Sequence, residues 1–327
     1  MSDCKVMVDS ATPKPTPANF PPLDALAHLP AWAVALSGGA DSTALLIASA
    51  LRWPEKTHAI HVHHGLQDAA DGFAAHCETL CKQFHVPLVV VRVQAAHKSG
   101  ESPEDAARQA RYQALSDALQ SNWGGVVQHI ALGQHADDQV ETLLLALSRG
   151  AGLPGLASMP SAVTRNGVTF HRPWLSVSSA TLRQSLTDVG QAWVEDPSNQ
   201  DTRYTRNKIR AEILPALEKA FPAFRQTFAR SATHAAQAQS LLQELAEQDL
   251  LQAGNPPNIQ LLQNFSQARQ TNVLRHWLVL ENMQASAAQM DALLVQVKSC
   301  TSRGHDIHIK VGRGFVRRDG AVLRCYN

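Results

Sequence analysis

The chain has 327 residues, of which 44% are hydrophobic and 17% charged, and its formal net charge is +1 at pH 7. This length suits about two domains, and the composition excludes a fibrous or largely disordered chain. Because the net charge is nearly zero, any nucleic-acid-binding surface must be a local basic patch. The sequence shows no signal peptide and no apolar run of membrane-spanning length, and its five cysteines are scattered. We therefore expect a cytoplasmic protein with no membrane contact.

The order of apolar and helical stretches predicts an α/β protein. Residues 1–22 hold several prolines and few apolar side chains, and we expect a disordered leader there. Short apolar runs then alternate with helical stretches, which predicts a doubly wound parallel sheet covered on both faces. The predicted strands are 31–36, 57–63, 88–93 and 126–132, and the predicted helices are 41–51, 71–84, 103–121 and 137–147.

A second, smaller, mainly helical domain is predicted from the composition beyond residue 223. Helical stretches at 224–251, 267–281 and 285–299 are followed by strand-like runs at 305–311 and 321–326. The predicted organisation is a leader at 1–22, a catalytic domain at 23–218 and a C-terminal domain at 223–327.

A glycine-containing loop joins the first predicted strand to the first long helix. Its residues are Ser37, Gly38, Gly39, Ala40, Asp41 and Ser42. Strand, glycine turn and helix N-terminus together place backbone N–H groups and the positive end of the helix dipole beside the loop. No Lys follows, so this is not a Walker A motif, and the adjacent glycines exclude the dinucleotide-binding pattern. A plain helix cap would also explain the serines and the acid. The loop resembles that of the PP-loop ATP pyrophosphatase superfamily, whose members cleave ATP between the α and β phosphates.

Three acids begin the helix that follows the fourth predicted strand. Asp137, Asp138 and Glu141 repel one another at helical spacing, beyond what capping requires. A cation would relieve this repulsion, and Mg²⁺ on ATP phosphates or an ammonium substrate are both candidates.

Two basic segments are candidates for phosphate binding. Arg108 and Arg111 lie one helical turn apart beside Tyr112, and an anion is one partner that would satisfy both. The alternative is a surface ion pair between Arg108 and Glu104. The second segment, after residue 196, contains Arg203, Arg206, Lys208 and Arg210 and is read either as a solvated connector or as a contact for RNA or ATP phosphates. The C-terminal region adds Arg317 and Arg318 within a further basic cluster.

Cysteine and histidine patterns do not predict a metal centre. Cys77 and Cys81 lie in a helical stretch without zinc-site spacing, which favours core packing. His61, His63 and His64 fall on alternating faces of a strand and cannot share one ion easily.

Six segments, taken in order, make a family resemblance specific. They are 37–42 (SGGADS), 61–66 (HVHHGL), 107–112 (ARQARY), 133–142 (GQHADDQVET), 149–152 (RGAG), and 195–199 (EDPSN) with 204–207 (YTRN). Together they resemble the tRNA(Ile)-lysidine synthetase family, closely over roughly residues 31–218 and more loosely beyond. The family usually has Asn where His63 stands and often His where Gln134 stands. Some members carry a further C-terminal domain, which we expect this chain to lack.

The resemblance implies an ATP- and Mg²⁺-dependent ligase that joins L-lysine to the wobble cytidine of a CAU-anticodon isoleucine tRNA. It implies ATP binding by residues 37–42, a magnesium role for Asp41, and catalytic roles for Asp41, Asp138, Glu141, Arg108, Arg111 and Arg206. Contacts with tRNA are expected from Arg203, Arg206, Lys208, Arg210, Arg317 and Arg318. Oligomeric state is left open, with a homodimer as one possibility.

Two other functions compete with this interpretation. A PP-loop tRNA thiolase would need a reactive cysteine pair, for which Cys77 and Cys81 are the candidates. An adenine-nucleotide-binding module without turnover would not need the acid cluster or the basic patches.

Overall fold

A computed structural model describes residues 14–63, 69–93, 103–196, 199, 201–302 and 304–326, with the backbone alone at 69–70 and 103–107. The contacts divide the chain into two compact units, Met1–Ala232 and Thr233–Asn327. This division falls some residues after the predicted boundary, within a long helix that begins at Phe224. Each unit has its own apolar core. Among the described helices, none combines the length and apolarity that a membrane crossing requires.

The first unit is built on a six-stranded sheet with the strand order β3-β2-β1-β4-β6-β5. Five strands run parallel, and β5 at one edge is antiparallel to β6. The strands are β1 (Trp32–Ala35), β2 (Thr57–His63), β3 (Leu88–Arg92), β4 (His129–Ala131), β5 (Ala162–Arg165) and β6 (Val168–His171). The prediction of a doubly wound parallel sheet is confirmed, except that the edge strand β5 is antiparallel, and β4 is shorter than the predicted run.

Helices cover the sheet on both faces. Those of the first unit are α1 (Asp24–Ala27), α2 (Ala40–Arg52), α3 (Ala69–Gln83), α4 (Pro103–Trp123), α5 (Ala136–Ser148), α6 (Leu153–Leu156), α7 (Ser179–Asp188), α8 (Thr205–Lys208) and α9 (Leu214–Ala220), with α10 (Phe224–Ala253) beginning in it. Side chains alternate along β1: Trp32 and Val34 pack in the core cluster that includes α2, α3 and α7, whereas Ala33 lies in the cluster that includes α4. Alternation of this kind buries both faces of a parallel strand.

The β5–β6 hairpin and helix α7 were not predicted from the sequence. The hairpin turn consists of Asn166 and Gly167, both with positive φ (50° and 74°). An Asn-Gly pair with this geometry is the strongest short-range hairpin signal, so the sequence did contain the information. The hairpin places Arg172, which follows β6, at the same edge of the sheet as the residues that follow β4.

The predicted leader is partly ordered. Residues 1–13 lie outside the described part of the chain, but the prediction of disorder is wrong for residues 17–22. Phe20 is buried, and Arg52 Nη2 donates to the carbonyls of Pro17 and Phe20 at 2.6 and 2.9 Å. Trp174 Nε1 donates to the carbonyl of Pro22 at 3.1 Å. These hydrogen bonds and one buried ring fix a proline-rich segment that composition alone would leave free.

The second unit contains the rest of α10 together with α11 (Ile259–Gln263), α12 (Gln267–Leu280) and α13 (Ala287–Ser299). An antiparallel sheet follows, formed by β7 (His308–Val311), β8 (Gly314–Asp319) and β9 (Val322–Tyr326). Strand β8 was not predicted. Its two turns contain Gly312 and Gly320, both with positive φ, as tight reversals require. Trp277, Leu294 and Val316 are among the buried side chains that join the helices to the sheet.

Candidate active site

The glycine loop is shaped by its own hydrogen bonds. The Ser37 backbone N–H donates to Ser42 Oγ at 3.1 Å, and the Ser42 hydroxyl donates to the Gly39 carbonyl at 3.1 Å. Gly38 has φ +88°, a left-handed conformation that disfavours any side chain, and a Cβ there would lie 3.4 Å from Cys77 Sγ. The loop is therefore held open at the start of α2, where the first N–H groups of the helix have no intrahelical acceptor.

The glycine loop lies against His61 and Cys77, two residues that stood out in the sequence. His61 Nδ1 lies 2.8 Å from the Leu36 carbonyl and 3.5 Å from Cys77 Sγ. Burial raises the pKa of the Cys77 and Cys81 thiols to about 12 in each case. Thiols of this kind are inert packing groups, because the thiolate is the reactive form. The interpretation of this pair as core is thus supported, and the reactive pair that a thiolase would need is not found here.

A close backbone approach brings the loop after β4 against the start of α2. A Cβ on Gly133 would lie 3.0 Å from the carbonyl carbon and oxygen of Asp41, so only glycine fits without displacement. Two residues later, His135 lies buried, with its Nε2 3.4 Å from Asp41 Oδ2 and 3.5 Å from Asp138 Oδ2. Two segments that the sequence singled out separately thus meet at the carboxyl edge of the sheet, as parallel topology requires.

His135 carries a positive charge among three carboxylates. Burial acts to lower the pKa of its imidazole, but the hydrogen bond to Asp41 and the charges of Asp138, Asp41 and Asp137 outweigh burial and raise that pKa to about 9. His135 belongs to the 133–142 motif, but no role was predicted for it. At neutral pH it is a cation that offsets the charge of Asp41 and Asp138.

Arginines supply the other cations that the acid cluster requires. Asp137 accepts from the Ser179 backbone N–H at 2.8 Å and from Arg225 Nε at 2.6 Å. Asp138 accepts from Arg210 Nη2 at 2.9 Å and from the His135 backbone N–H at 3.1 Å. Asp137 therefore has a structural role. The prediction that the three acids need an external cation is corrected, because the protein itself provides the counter-charges.

Glu141 is fully buried and lies against two arginines. Its Oε2 is 3.1 Å from Arg210 Nη2 and 3.5 Å from Arg206 Nη1. Burial raises the pKa of the Glu141 carboxyl, and Arg210 opposes that shift. Arg210 was expected to contact tRNA, whereas the structure places its guanidinium on Asp138 and Glu141. Arg206 joins the same cluster.

The remaining basic candidates lie in three different environments. Arg203 is exposed and forms a surface pair with Asp201, with Nη2 and Oδ2 at 2.7 Å. Lys208 and Arg111 are exposed. Arg108 packs beside Tyr112, with its guanidinium carbon 5.5 Å from the ring centroid. Arg165 stacks on the same ring at 4.7 Å, although the sequence analysis did not select it.

The adjacent arginines of the C-terminal sheet have different roles. Arg317 is exposed on one face, with its guanidinium 5.8 Å from the Tyr326 ring centroid. Arg318 donates to the carbonyls of Gly320, Ser302 and His305, each at 2.7 Å. The expected tRNA contact by Arg318 is therefore corrected to a structural role, since its donors are already used within the second unit.

A magnesium ion would find one suitable donor at this site. Asp41 Oδ1 is buried and has no hydrogen-bond partner among the described residues, as expected of a carboxylate oxygen that receives a cation. No group of three or more His, Cys, Asp or Glu side chains in the described part of the chain could hold a metal ion by itself. Asp41 fits a metal that is carried mainly by nucleotide phosphates.

The pKa of His135 predicts a pH-dependent stability. Because the folded-state pKa is raised from 6.5 to about 9, the stabilisation by the imidazolium is complete below pH 6.5 and is lost as pH rises towards 9. We expect the stability difference between wild type and His135→Asn to be on the order of 3 kcal/mol at pH 6 and to shrink strongly by pH 9.5. Thermal unfolding in metal-free buffer across this range measures it. His234→Asn, which removes an exposed histidine, is the control, and a pH-independent difference for His135→Asn would contradict the assignment.

Two known protein-domain families match this chain. The PP-loop domain family matches residues 19–217, and the TilS substrate binding domain family matches residues 258–323. The U34-tRNA thiolase of Methanococcus maripaludis, solved with its 4Fe–4S cluster, superposes with a TM-score of 0.54 at 15% identity, over 64% of this chain and 74% of that one. At this identity the likeness shows the fold alone.

Two curated relatives are much more similar in sequence. The tRNA(Ile)-lysidine synthase of Polaromonas naphthalenivorans is 58% identical over 294 residues, covering 90% of this chain and 88% of that protein. The tRNA(Ile)-lysidine synthase of Pseudomonas fluorescens is 45% identical over 76% of this chain, which spans 58% of that longer protein. On the strength of the PP-loop match and of this identity over nine-tenths of its length, the chain belongs to the tRNA(Ile)-lysidine synthase family.

Proposed function

We propose that this chain is an ATP-dependent carbon–nitrogen ligase that joins L-lysine to C2 of the wobble cytidine in the CAU anticodon of isoleucine tRNA. One observation carries the proposal. The glycine loop and the His135–Asp138 segment meet at one edge of the sheet, around Asp41, in a chain that is 58% identical to a tRNA(Ile)-lysidine synthase.

The reaction has two steps that share one site. The C2 oxygen of cytidine attacks the α-phosphorus of ATP, and pyrophosphate leaves. The ε-amine of lysine then attacks C2, loses a proton, and AMP leaves with the former C2 oxygen. The product base pairs with A in place of G, so the tRNA decodes AUA and accepts isoleucine in place of methionine.

The residues of the loop and its surroundings suit the first step. Backbone N–H groups at the start of α2 would bind phosphate oxygens, as helix N-termini do. Mg²⁺ would be held by Asp41 and the phosphates, where it would offset the charge of the departing pyrophosphate. Arg108 and Arg111 are proposed to contact a phosphate or the RNA backbone.

The second step needs a lysine ammonium to be held and deprotonated. We retain Asp138 and Glu141 for this role, with the addition that Arg210 already neutralises part of their charge. An incoming ammonium would share these carboxylates with Arg210, which would favour loss of a proton from the amine. A second function, such as the thiolase, is not favoured by the buried state of Cys77 and Cys81.

The activity test uses Asp41. Wild-type protein incubated with ATP, Mg²⁺, labelled lysine and bacterial tRNA should transfer label to tRNA and release pyrophosphate. Asp41→Asn should lose at least about a hundredfold in rate, since it removes the charge that would hold the metal–phosphate. Circular dichroism checks that the variant folds. Label transfer by Asp41→Asn at a near-normal rate would remove Asp41 from the mechanism, and nucleotide binding without label transfer by wild type would favour the binding module.

The lysine role of Glu141 is tested by Glu141→Gln. Loss of one partner from a close charged contact costs about 1.5–3 kcal/mol, or roughly ten- to over a hundredfold in affinity. We expect the apparent KM for lysine to rise by this factor, with a smaller change for ATP. Asp137→Asn is the matched control, because its contacts with Ser179 and Arg225 predict lower stability without a lysine-specific effect. Equal rises in both KM values for Glu141→Gln would assign the carboxylate to the metal–nucleotide.

The C-terminal sheet is proposed to contact tRNA through Arg317. We expect Arg317→Gln to weaken tRNA binding and to lower the slope of log affinity against log salt by about one unit. Arg318→Gln should instead lower the melting temperature, because three carbonyls lose their donor. Filter binding at several salt concentrations distinguishes the two neighbours, and an unchanged slope for Arg317→Gln would place the tRNA elsewhere.

A further inference from the structure

Arg172 is a buried cation that the proposed mechanism does not use. Its side chain follows β6, at the carboxyl edge of the sheet, and the residue is 3% exposed. The guanidinium donates to Gln134 Oε1 through Nε, to the Pro160 carbonyl through Nη1 at 2.8 Å, and to the Tyr112 hydroxyl through Nη2 at 3.0 Å. All three acceptors are neutral. Among the described side chains, no carboxylate lies within ion-pair distance of Arg172.

Further positive charge lies around the same tyrosine. Arg165 stacks on the Tyr112 ring, and Arg108 lies beside it with Nη2 3.5 Å from the hydroxyl. Burial, together with Arg108 and Arg165, lowers the pKa of Arg172. Three guanidinium groups therefore surround one ring, and the described residues place no acid among them. This positive charge would stabilise an anion bound nearby.

The hydrogen bond from Arg172 also fixes the orientation of the Gln134 amide. A guanidinium can only donate, so the oxygen of the amide faces Arg172 and its NH₂ group faces the opposite direction. No described residue accepts a hydrogen bond from that NH₂ group. Its nitrogen, Nε2, is not one of the fully buried polar atoms without a partner, so it is accessible to solvent or to a ligand. Gln134 lies between Gly133, which contacts the start of α2, and His135, which contacts Asp41. The amide thus offers oriented donors beside the candidate active site.

We propose that the Gln134 amide is a donor-only subsite that binds an anionic oxygen group of a substrate, with Arg172 as the residue that positions this amide. The three substrates of the proposed function offer this chemistry: the carboxylate of lysine, a phosphate of ATP and a phosphate of RNA. In this respect the inference rests on the proposed function. Arg172 and Tyr112 anchor the Gln134 amide from the α4 side of the sheet edge, whereas the carboxylate cluster lies against α2 and α5.

The decisive variant is Gln134→Glu. It keeps the size of the side chain and gives Arg172 an anionic partner, so we expect a melting temperature equal to or above that of wild type. It also replaces the NH₂ donors by an anionic oxygen, which would repel the substrate group. We expect the apparent KM for one of the three substrates to rise at least about tenfold, with smaller changes for the other two. The substrate affected identifies which anionic group occupies the subsite.

Gln120→Glu is the matched control. Gln120 is exposed on α4 and donates to the Asn166 carbonyl, so the same change of charge there should leave all three KM values unchanged. Unchanged KM values for Gln134→Glu would overturn the proposal. A uniform fall in activity with a lower melting temperature would also overturn it, because a purely structural role predicts that result.

Arg172→Met tests the positioning role. Without the guanidinium, the amide of Gln134 is free to turn, so the same KM should rise in this variant. Gln134→Glu should then add much less in the Arg172→Met background than in wild type. Independent, additive effects would show that Arg172 does not act through Gln134. If Arg172→Met does not fold, Arg172→Lys replaces it in the same double-mutant comparison. Lysine keeps the charge but cannot donate in three directions with the geometry of a guanidinium.

Ligand-induced thermal shifts separate this inference from the proposed function. Shifts produced by ATP, lysine and tRNA are measured one at a time on wild type and Gln134→Glu, and they require no turnover. If wild type fails to transfer lysine but one shift is lost in Gln134→Glu, the proposed function fails and the subsite stands. If lysine transfer is normal and no shift or KM differs between the two proteins, the subsite fails and the proposed function stands.

Discussion

The geometry of the site depends on the close approach of Gly133 to the first turn of α2. Since Gly133 has no side chain, the loop after β4 lies against the backbone of Asp41 and Ser42, and a methyl group there would meet that backbone at 3.0 Å. This contact places His135 between Asp41 and Asp138, and it brings the acids of α5 to the loop at the start of α2. The glycine loop and the acidic elements of the site are thus one packed unit.

Charge balance is the second constraint on this unit. Carboxylates that are buried or crowded together are costly without partners, and here each has one: His135 for Asp41 and Asp138, Arg225 for Asp137, and Arg210 with Arg206 for Glu141. The carboxylates of the cluster therefore have cationic partners within the protein before any substrate arrives. A cationic substrate would therefore bind by sharing carboxylates with arginine, and its affinity would depend on how readily Arg210 yields its contacts.

The sheet also separates two kinds of chemistry at its carboxyl edge. His135 points to the acids of α2 and α5, whereas its neighbour Gln134 contacts Arg172 and the Tyr112 environment on the α4 side. Alternation along an extended segment produces this division, because successive side chains point to opposite faces. The carboxylates thus collect on one side, where His135 and arginines pair with them, whereas Arg172 on the other side contacts neutral acceptors.

The sequence by itself determined the parallel α/β architecture, the loop at residues 37–42 and the acids of α5, because apolar periodicity, glycine position and helix-start acids are local properties. It also contained the Asn166–Gly167 hairpin signal, although we did not use it. Only the tertiary structure decided which polar groups meet. Arg210 pairs with Glu141, and Arg172 is buried beside Gln134. Arg318 donates to carbonyls of the second unit, whereas its neighbour Arg317 is exposed. These pairs join residues far apart in the chain or adjacent residues on opposite faces, and no local pattern encodes the distance between two side chains brought together by packing.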